Sequence, residues 1–170
     1  MNLAQAAGPR QKLAALLLTI GMAATVGGAL AFQHIGGYIP CKLCYEQRMP
    51  YYVGAPLMLL ALFAALAKLP GVATRILLLA GAALMAYGLY LGVYHSGVEW
   101  GWWPGPTDCG MVVAPPDTGG RGVLDALNSV IPPSCDEAAL RILGLSLAGW
   151  NAIASLCLGL VALWGAFSKP

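Results

Sequence analysis

Long uncharged apolar stretches alternate with short polar segments along most of the chain. The apolar stretches cover residues 13–32, 51–67, 76–94 and 142–167. Each has about the length that an α-helix needs to cross a hydrocarbon core of about 30 Å. We therefore predict an all-α, polytopic membrane protein. Residues 1–170 form a single membrane domain, a four-transmembrane-helix bundle with a kink at Pro56 in the second helix.

The composition supports the same class of protein. Hydrophobic residues make up 59% of the chain and charged residues only 9%, which is atypical of a soluble domain. The net charge of +2 comes without a basic cluster. This argues against nucleic-acid binding, which needs a continuous positive surface.

The first apolar stretch also allows an interpretation as a secretory signal peptide. Arg10 and Lys12 precede it, and Ala29-Leu30-Ala31 resembles a cleavage site. Its apolar run is longer than the core of a typical signal peptide, which favours an uncleaved helix.

Charged residues divide unevenly between the two sides of the four-span arrangement. One side holds five basic residues and no acidic one: Arg10, Lys12, Lys68, Arg75 and Lys169. By the positive-inside rule this side is cytoplasmic, and both termini lie there. The loops of residues 33–50 and 95–141 contain all seven acidic residues and face outward.

The second outer loop, residues 95–141, is longer than a structural connection requires and is rich in Gly, Pro and Asp. Loops of this kind are usually functional or disordered. Apolar residues recur at helical spacing within it, at Val123, Leu124, Leu127, Val130 and Ile131. This spacing predicts a short amphipathic helix, either on the membrane surface or as a cap on the bundle.

The first outer loop carries a C-x-x-C pair, Cys41 and Cys44, followed by Arg48. If this segment is helical, the three residues lie at i, i+3 and i+7 on one face. A helix N-terminus and a nearby cation both stabilise a thiolate, so this spacing indicates redox chemistry.

Four of the five cysteines lie on the outer side, where disulfides persist. They allow three pairings, and sequence proximity favours Cys41 with Cys44, which leaves Cys109 with Cys135. Two alternatives remain open: a four-thiolate zinc site, although only one short-spaced hook is present, and two purely structural disulfides. A ring as short as Cys41–Cys44 constrains the unfolded chain little and suits exchange better. Cys157 lies in the fourth apolar stretch, where we expect an inert packing residue.

Taken together, these residues resemble the DsbB family of membrane thiol oxidases. Members of that family reoxidise a soluble periplasmic oxidase, DsbA, and pass the electrons to a quinone. The likeness spans the whole chain and rests on several features: Phe32-Gln33-His34, Pro40-Cys41-x-x-Cys44, Arg48, the two cysteines of the second outer loop, and Gly144-Leu145-Ser146-Leu147-x-Gly149-Trp150.

The resemblance implies a role for each outer cysteine. Cys109 and Cys135 meet a soluble thioredoxin-like partner similar to DsbA, and Cys109 forms the mixed disulfide. Cys41 then exchanges with Cys135, and Cys44 is held near the quinone ring.

The resemblance also implies a cofactor site and a location. Arg48 stabilises negative charge on sulfur and on the quinone oxygen, His95 is a neighbour of the quinone, and the quinone is ubiquinone or menaquinone. The protein lies in the bacterial inner membrane, in contact with lipid, with its cysteine loops in the periplasm.

Three features depart from the family pattern. Lys42 occupies an often apolar position inside the C-x-x-C, Pro50 is expected to distort the stacking of Cys44 on Arg48, and residues 95–100 resemble a variant branch. Two other functions remain as alternatives. They are a quinone reductase similar to vitamin K epoxide reductase, and a non-enzymatic four-span subunit with two structural disulfides.

Overall fold

The computed structural model describes residues 5–109 and 134–168 of the chain. The amphipathic helix predicted within residues 123–131 lies outside these ranges. Four long helices are described, and each is long and apolar enough to cross a membrane: α1 Pro9–His34, α2 Lys42–Leu66, α3 Gly71–Glu99 and α4 Leu147–Ala166. A two-stranded antiparallel hairpin, β1 Arg141–Ile142 and β2 Leu145–Ser146, precedes α4. The predicted four-helix membrane bundle is confirmed.

The bundle is packed around long apolar side chains that meet small residues on neighbouring helices. Leu18, Met22, Met58, Leu78 and Met85 are all fully buried. At the crossing of α3 and α4, a Cβ added to Gly92 would lie 2.8 Å from the Ala152 backbone nitrogen. Such close backbone approach is typical of helices that pack within a membrane.

The outer surface of the bundle is apolar. Large hydrophobic side chains are exposed on every helix, among them Ile20, Leu60, Phe63, Ile76, Tyr90 and Leu160. A surface of this kind fits a lipid environment, where the hydrocarbon surrounds the helices on all sides.

One end of the bundle gathers the N-terminal segment, the α2–α3 turn and the end of α4. Gly71 donates a backbone hydrogen bond to Gln5 at 2.7 Å, and Arg75 donates to the Ser168 carbonyl at 3.2 Å. The described basic residues of the predicted cytoplasmic side therefore share this end.

Three helix ends differ from the bounds of the apolar stretches. Helix α2 begins at Lys42 instead of residue 51 and continues through both Pro50 and Pro56, and α3 extends to Glu99. Helix α4 begins only at Leu147, because Leu143 and Gly144 adopt positive φ in a hairpin turn and Ser146 then caps the helix. Counting uncharged residues detects hydrophobic length but neither caps nor turns.

Candidate functional site

The C-x-x-C pair lies at the N-terminus of α2. Cys41 is the N-cap residue, with extended backbone, and its sulfur accepts a hydrogen bond from the Cys44 backbone N–H at 3.3 Å. Pro40 precedes this cap and favours the extended conformation before the helix. The helix therefore places the first cysteine at the positive end of its dipole and the second within its first turn.

The two sulfurs of this pair are in contact but face different surroundings. Their Sγ atoms lie 2.9 Å apart, and both residues are free thiols here. Cys41 is only 3% exposed and packs under the second outer loop. The hydrogen bond with Cys44 and burial raise the pKa of the Cys41 thiol.

The second outer loop places its own cysteine pair directly on the first pair. Cys109 and Cys135 form a disulfide with their Cα atoms 6.0 Å apart. Cys135 is 3% exposed, whereas Cys109 is only half-buried. The Sγ atoms of Cys41 and Cys135 and a ring nitrogen of His95 all lie within 4.8 Å of one another. The two cysteine pairs thus meet through Cys41 and Cys135.

Polar contacts fix the Cys109 side of this loop to α2. The Lys42 backbone N–H donates to the Cys109 carbonyl at 3.4 Å, and the Lys42 ammonium forms an ion pair with Asp108. This ion pair lowers the pKa of Asp108. Lys42, the unusual residue inside the C-x-x-C, therefore contacts the loop and contributes to its docking.

Aromatic contacts fix the preceding residues to the end of α3. Trp103 Nε1 donates to the Tyr94 carbonyl at 2.8 Å, and the two rings stack with centroids 6.1 Å apart. The Trp103 ring also covers Gly97, where a Cβ would lie only 2.0 Å from it. Glycine is therefore required at this position, and the segment that leads to Cys109 is held against α3.

A cavity of about 370 Å³ opens on the other side of the C-x-x-C pair. Residues of α1, α2 and α4 line it, and most of them are apolar. Its polar wall includes Cys44, Gln47 and Arg48 from α2. Pockets of this size with a few convergent polar groups are typical small-molecule sites.

Arg48 is a nearly buried cation on the wall of this cavity, with 9% of its surface exposed. Its guanidinium donates to the Gln33 side-chain oxygen and, at 3.4 Å, to the Ala29 carbonyl, and it lies 5.3 Å from the Tyr45 ring centroid. Within the described part of the chain, these partners are neutral and Arg48 forms no ion pair. Its charge therefore remains available to an anion or a polar oxygen in the cavity.

His95 lies on the Cys41 side of the site. Its Nε2 is 3.7 Å from the Cys41 sulfur, and its Nδ1 is 2.5 Å from the Gln47 side-chain nitrogen. It is not among the residues that line the cavity. The sequence predicted that His95 neighbours a quinone; in the structure it contacts Cys41 and Gln47, and Gln47 lines the cavity.

A hydrogen-bonded chain continues from Gln47 across the bundle. Gln47 accepts from Asn151 at 2.7 Å, Asn151 accepts from the Tyr51 hydroxyl at 2.7 Å, and that hydroxyl contacts Ser155 at 2.8 Å. Neither Gln47 nor Tyr51 was predicted from the sequence as a site residue. The available signal was Asn151, since a polar side chain inside an apolar span usually marks a functional contact.

Two other candidates from the sequence lie apart from these contacts. Cys157 is exposed on the surface of α4, not packed inside the bundle, because Ser155 takes the inward position two residues earlier. His34 is exposed at the end of α1.

Comparison with known proteins relates nearly the whole chain to one family. Residues 11–165 match the model of the disulfide bond formation protein DsbB family. The chain is 32% identical over 156 residues to disulfide bond formation protein B 1 of Pseudomonas fluorescens, covering 85% of this chain and 83% of that protein. It is 29% identical to disulfide bond formation protein B of a Polaromonas species, covering 91% and 89%, and 29% identical to an uncharacterized protein of Rickettsia prowazekii, covering 84% and 80%. A search of solved structures found no significant match to this chain.

Proposed function

The chain belongs to the DsbB family of disulfide bond formation proteins, and on that premise we propose that it is a quinone-dependent membrane protein-thiol oxidase. Its substrate is the dithiol form of a soluble, thioredoxin-like oxidase in the periplasm. One observation carries the proposal: Cys41 faces the Cys109–Cys135 disulfide while its neighbour Cys44 faces the cavity. This arrangement gives electrons a path from an exposed loop to a site between the helices.

The exposure of the loop disulfide supports Cys109 as the entry point. Thiol–disulfide exchange requires a thiolate to reach a sulfur in line with the bond that breaks. Cys109 is half-buried, whereas Cys135 is 3% exposed and packed against Cys41. A partner thiolate therefore attacks Cys109 Sγ, the disulfide breaks, and Cys135 leaves as a thiolate.

Internal exchange follows from the contact between the two pairs. The Cys135 thiolate attacks Cys41 Sγ of an oxidised Cys41–Cys44 disulfide, and Cys44 leaves as a thiolate facing the cavity. The second thiol of the partner then breaks its bond to Cys109, and the freed Cys109 thiolate attacks Cys135 and releases Cys41. In total, the partner loses two electrons and two protons, and Cys41 and Cys44 gain them.

The cavity wall suits a quinone. An apolar surface accommodates the ring, and Arg48 and Gln47 supply donors for its carbonyl oxygens. When bound, a quinone would supply an acceptor for the two electrons and two protons of the Cys41/Cys44 dithiol. Arg48 would stabilise the Cys44 thiolate and negative charge on a bound oxygen, because a cation acts strongly where water is excluded.

The proposal is tested by adding a soluble quinone to purified protein whose Cys41/Cys44 pair has been reduced. We expect quinol to form in proportion to the thiols lost. Cys44→Ser should abolish this reaction, and Cys157→Ala serves as the matched control that should retain it. A Cys41/Cys44 pair that stays reduced in the presence of quinone would contradict the proposal and favour the subunit with structural disulfides.

A further inference from the structure

We infer that the fully reduced protein binds one Zn²⁺ ion at Cys41, Cys135 and His95, and that this ion arrests thiol exchange. The inference rests on the proposed function only because that cycle supplies the reduced cysteines. The site involves neither the cavity nor Arg48. It would make the reduced, waiting form of the protein sensitive to a metal ion.

The donor atoms converge from three separate segments of the chain. Cys41 begins α2, His95 lies near the end of α3, and Cys135 lies on the return arm of the second loop. One donor atom from each lies within 4.8 Å of the other two, and all three residues are buried. Two thiolates and an imidazole form a donor set that Zn²⁺ prefers.

Glu99 lies beside these three donors, on the next turn of α3. Its Oε1 lies 3.9 Å from His95 Nε2, and the side chain is only 4% exposed. Its Oε2 is buried and has no hydrogen-bond partner among the residues that the structure describes. A buried carboxylate oxygen without a partner is costly, and the positive charge of a metal ion nearby would offset part of that cost.

The distance between His95 and Cys41 suits a tetrahedral site. Zinc bonds of about 2.0–2.3 Å place neighbouring ligand atoms roughly 3.3–3.8 Å apart. His95 Nε2 lies 3.7 Å from Cys41 Sγ, and Cys135 Sγ lies within 4.8 Å of both residues' donor atoms. The Gln47 side chain holds the other ring nitrogen of His95 at 2.5 Å, as the outer contacts of metal-bound histidines commonly do.

Redox state controls the site because the Cys109–Cys135 disulfide occupies one of its sulfurs. Reduction by a dithiol transfers two electrons and two protons to this disulfide and oxidises the dithiol. Zinc then binds the Cys41 and Cys135 sulfurs as thiolates and releases their protons to solvent. With both sulfurs coordinated, neither exchanges, so the ion holds the protein in its reduced form.

The test titrates Co²⁺, a coloured substitute for Zn²⁺, into protein reduced with a phosphine that is then removed under argon. Quinone and partner are absent, so the outcome is independent of the proposed function. We expect one equivalent to bind with sulfur-to-cobalt charge-transfer bands and the ligand-field spectrum of a tetrahedral ion. Zn²⁺ should displace it, and the oxidised protein should not bind.

Variants identify the ligands. Cys135→Ser and His95→Ala should each weaken binding by at least about tenfold. Cys44→Ser, Cys109→Ser and Cys157→Ser are matched controls that remove a thiol and should retain it. His95→Cys should restore binding with stronger charge-transfer bands, which a merely misfolded His95→Ala protein does not explain. The inference is overturned if oxidised protein binds equally well, or if Cys44→Ser abolishes binding while Cys135→Ser retains it.

Discussion

At the scale of single residues, the site separates the roles of two adjacent cysteines by what lies beside each. Cys41 is buried under the second loop, beside His95 and Cys135, whereas Cys44 shares the cavity wall with Arg48. The neutral hydrogen-bond partners of Arg48 fix its position without cancelling its charge. Arg48 is therefore the residue whose substitution separates cavity chemistry from loop chemistry.

We expect Arg48→Met to lower kcat/KM for quinone by about 10- to 100-fold, the effect of losing charged hydrogen bonds of about 1.5–3 kcal/mol. Arg48→Lys should be intermediate, because it keeps the charge and loses the planar fork. Exchange between a partner dithiol and Cys109–Cys135 should continue at the normal rate, as measured by single-turnover mixing. An unchanged KM and kcat for quinone in Arg48→Met, with Cys157→Ala as reference, would remove Arg48 from the mechanism.

At the scale of elements, docking of the second loop depends on the start of α2. The Lys42–Asp108 ion pair is partly exposed, with 35% and 37% of the two side chains accessible, so solvent screens it and its contribution is small. The hydrogen bond to the Cys109 carbonyl and the Trp103 contacts act beside it. The ion pair therefore adjusts the docking and does not determine it alone.

We expect Asp108→Asn to raise amide hydrogen exchange in residues 105–109 by at most about fivefold at neutral pH. The ion pair lowers the pKa of Asp108 below its ordinary 3.8. A lowered pKa means that the contact stabilises docking above the ordinary value and loses this effect as pH falls through the lowered one. The ratio of exchange rates between variant and unmodified protein should therefore approach one in strong acid.

Asp136→Asn provides the control for this measurement. Asp136 is exposed and forms no ion pair among the described residues. Two outcomes would show that the Asp108 charge has no part in docking. In the first, Asp136→Asn raises amide exchange in residues 105–109 as much as Asp108→Asn does. In the second, the ratio of exchange rates for Asp108→Asn does not change with pH.

Helix packing gives a second prediction at this scale. Gly92→Ala places a methyl group 2.8 Å from the backbone of α4, which cannot move aside as a side chain can. We expect a loss of about 1–3 kcal/mol in stability, the usual cost of overpacking, measured by denaturation in mixed micelles. Gly27→Ala on α1 is the control, because nothing lies within 4 Å of the added atom. Equal stability of the two variants would contradict the described α3–α4 contact.

At the scale of the whole molecule, the positive-inside rule gives a prediction about sidedness. A membrane-impermeant thiol reagent added to the outside of reduced cells should react with the four outer cysteines: Cys41, Cys44, Cys109 and Cys135. Tags at both termini should stay protected. In the structure, contacts place four residues of the predicted cytoplasmic side at one end of the bundle: Gln5, Gly71, Arg75 and Ser168. Labelling of the loop cysteines from the cytoplasmic side would contradict the predicted orientation.

The sequence predicted the number of helices and the grouping of the cysteines, because hydrophobic length and short motifs are local properties. The second apolar stretch, from residue 51, marks only part of α2, because the helix begins earlier, at Lys42, among charged residues and continues past Pro50. His95 and Glu99 were harder to interpret. Their contacts with Cys41 and with each other depend on how α3 packs beside α2, and no spacing in the chain encodes that.

The anchoring of Trp103 on α3 has a kinetic consequence. When the Cys109–Cys135 bond opens, the chain still joins the two cysteines, which are 26 positions apart, with Trp103 holding one arm and the β1–β2 hairpin following the other. Neither sulfur can diffuse away, so each remains near Cys41 at an effective concentration in the millimolar range or above. The internal steps of the proposed cycle are therefore first order, and diluting the protein slows only its encounter with the soluble partner.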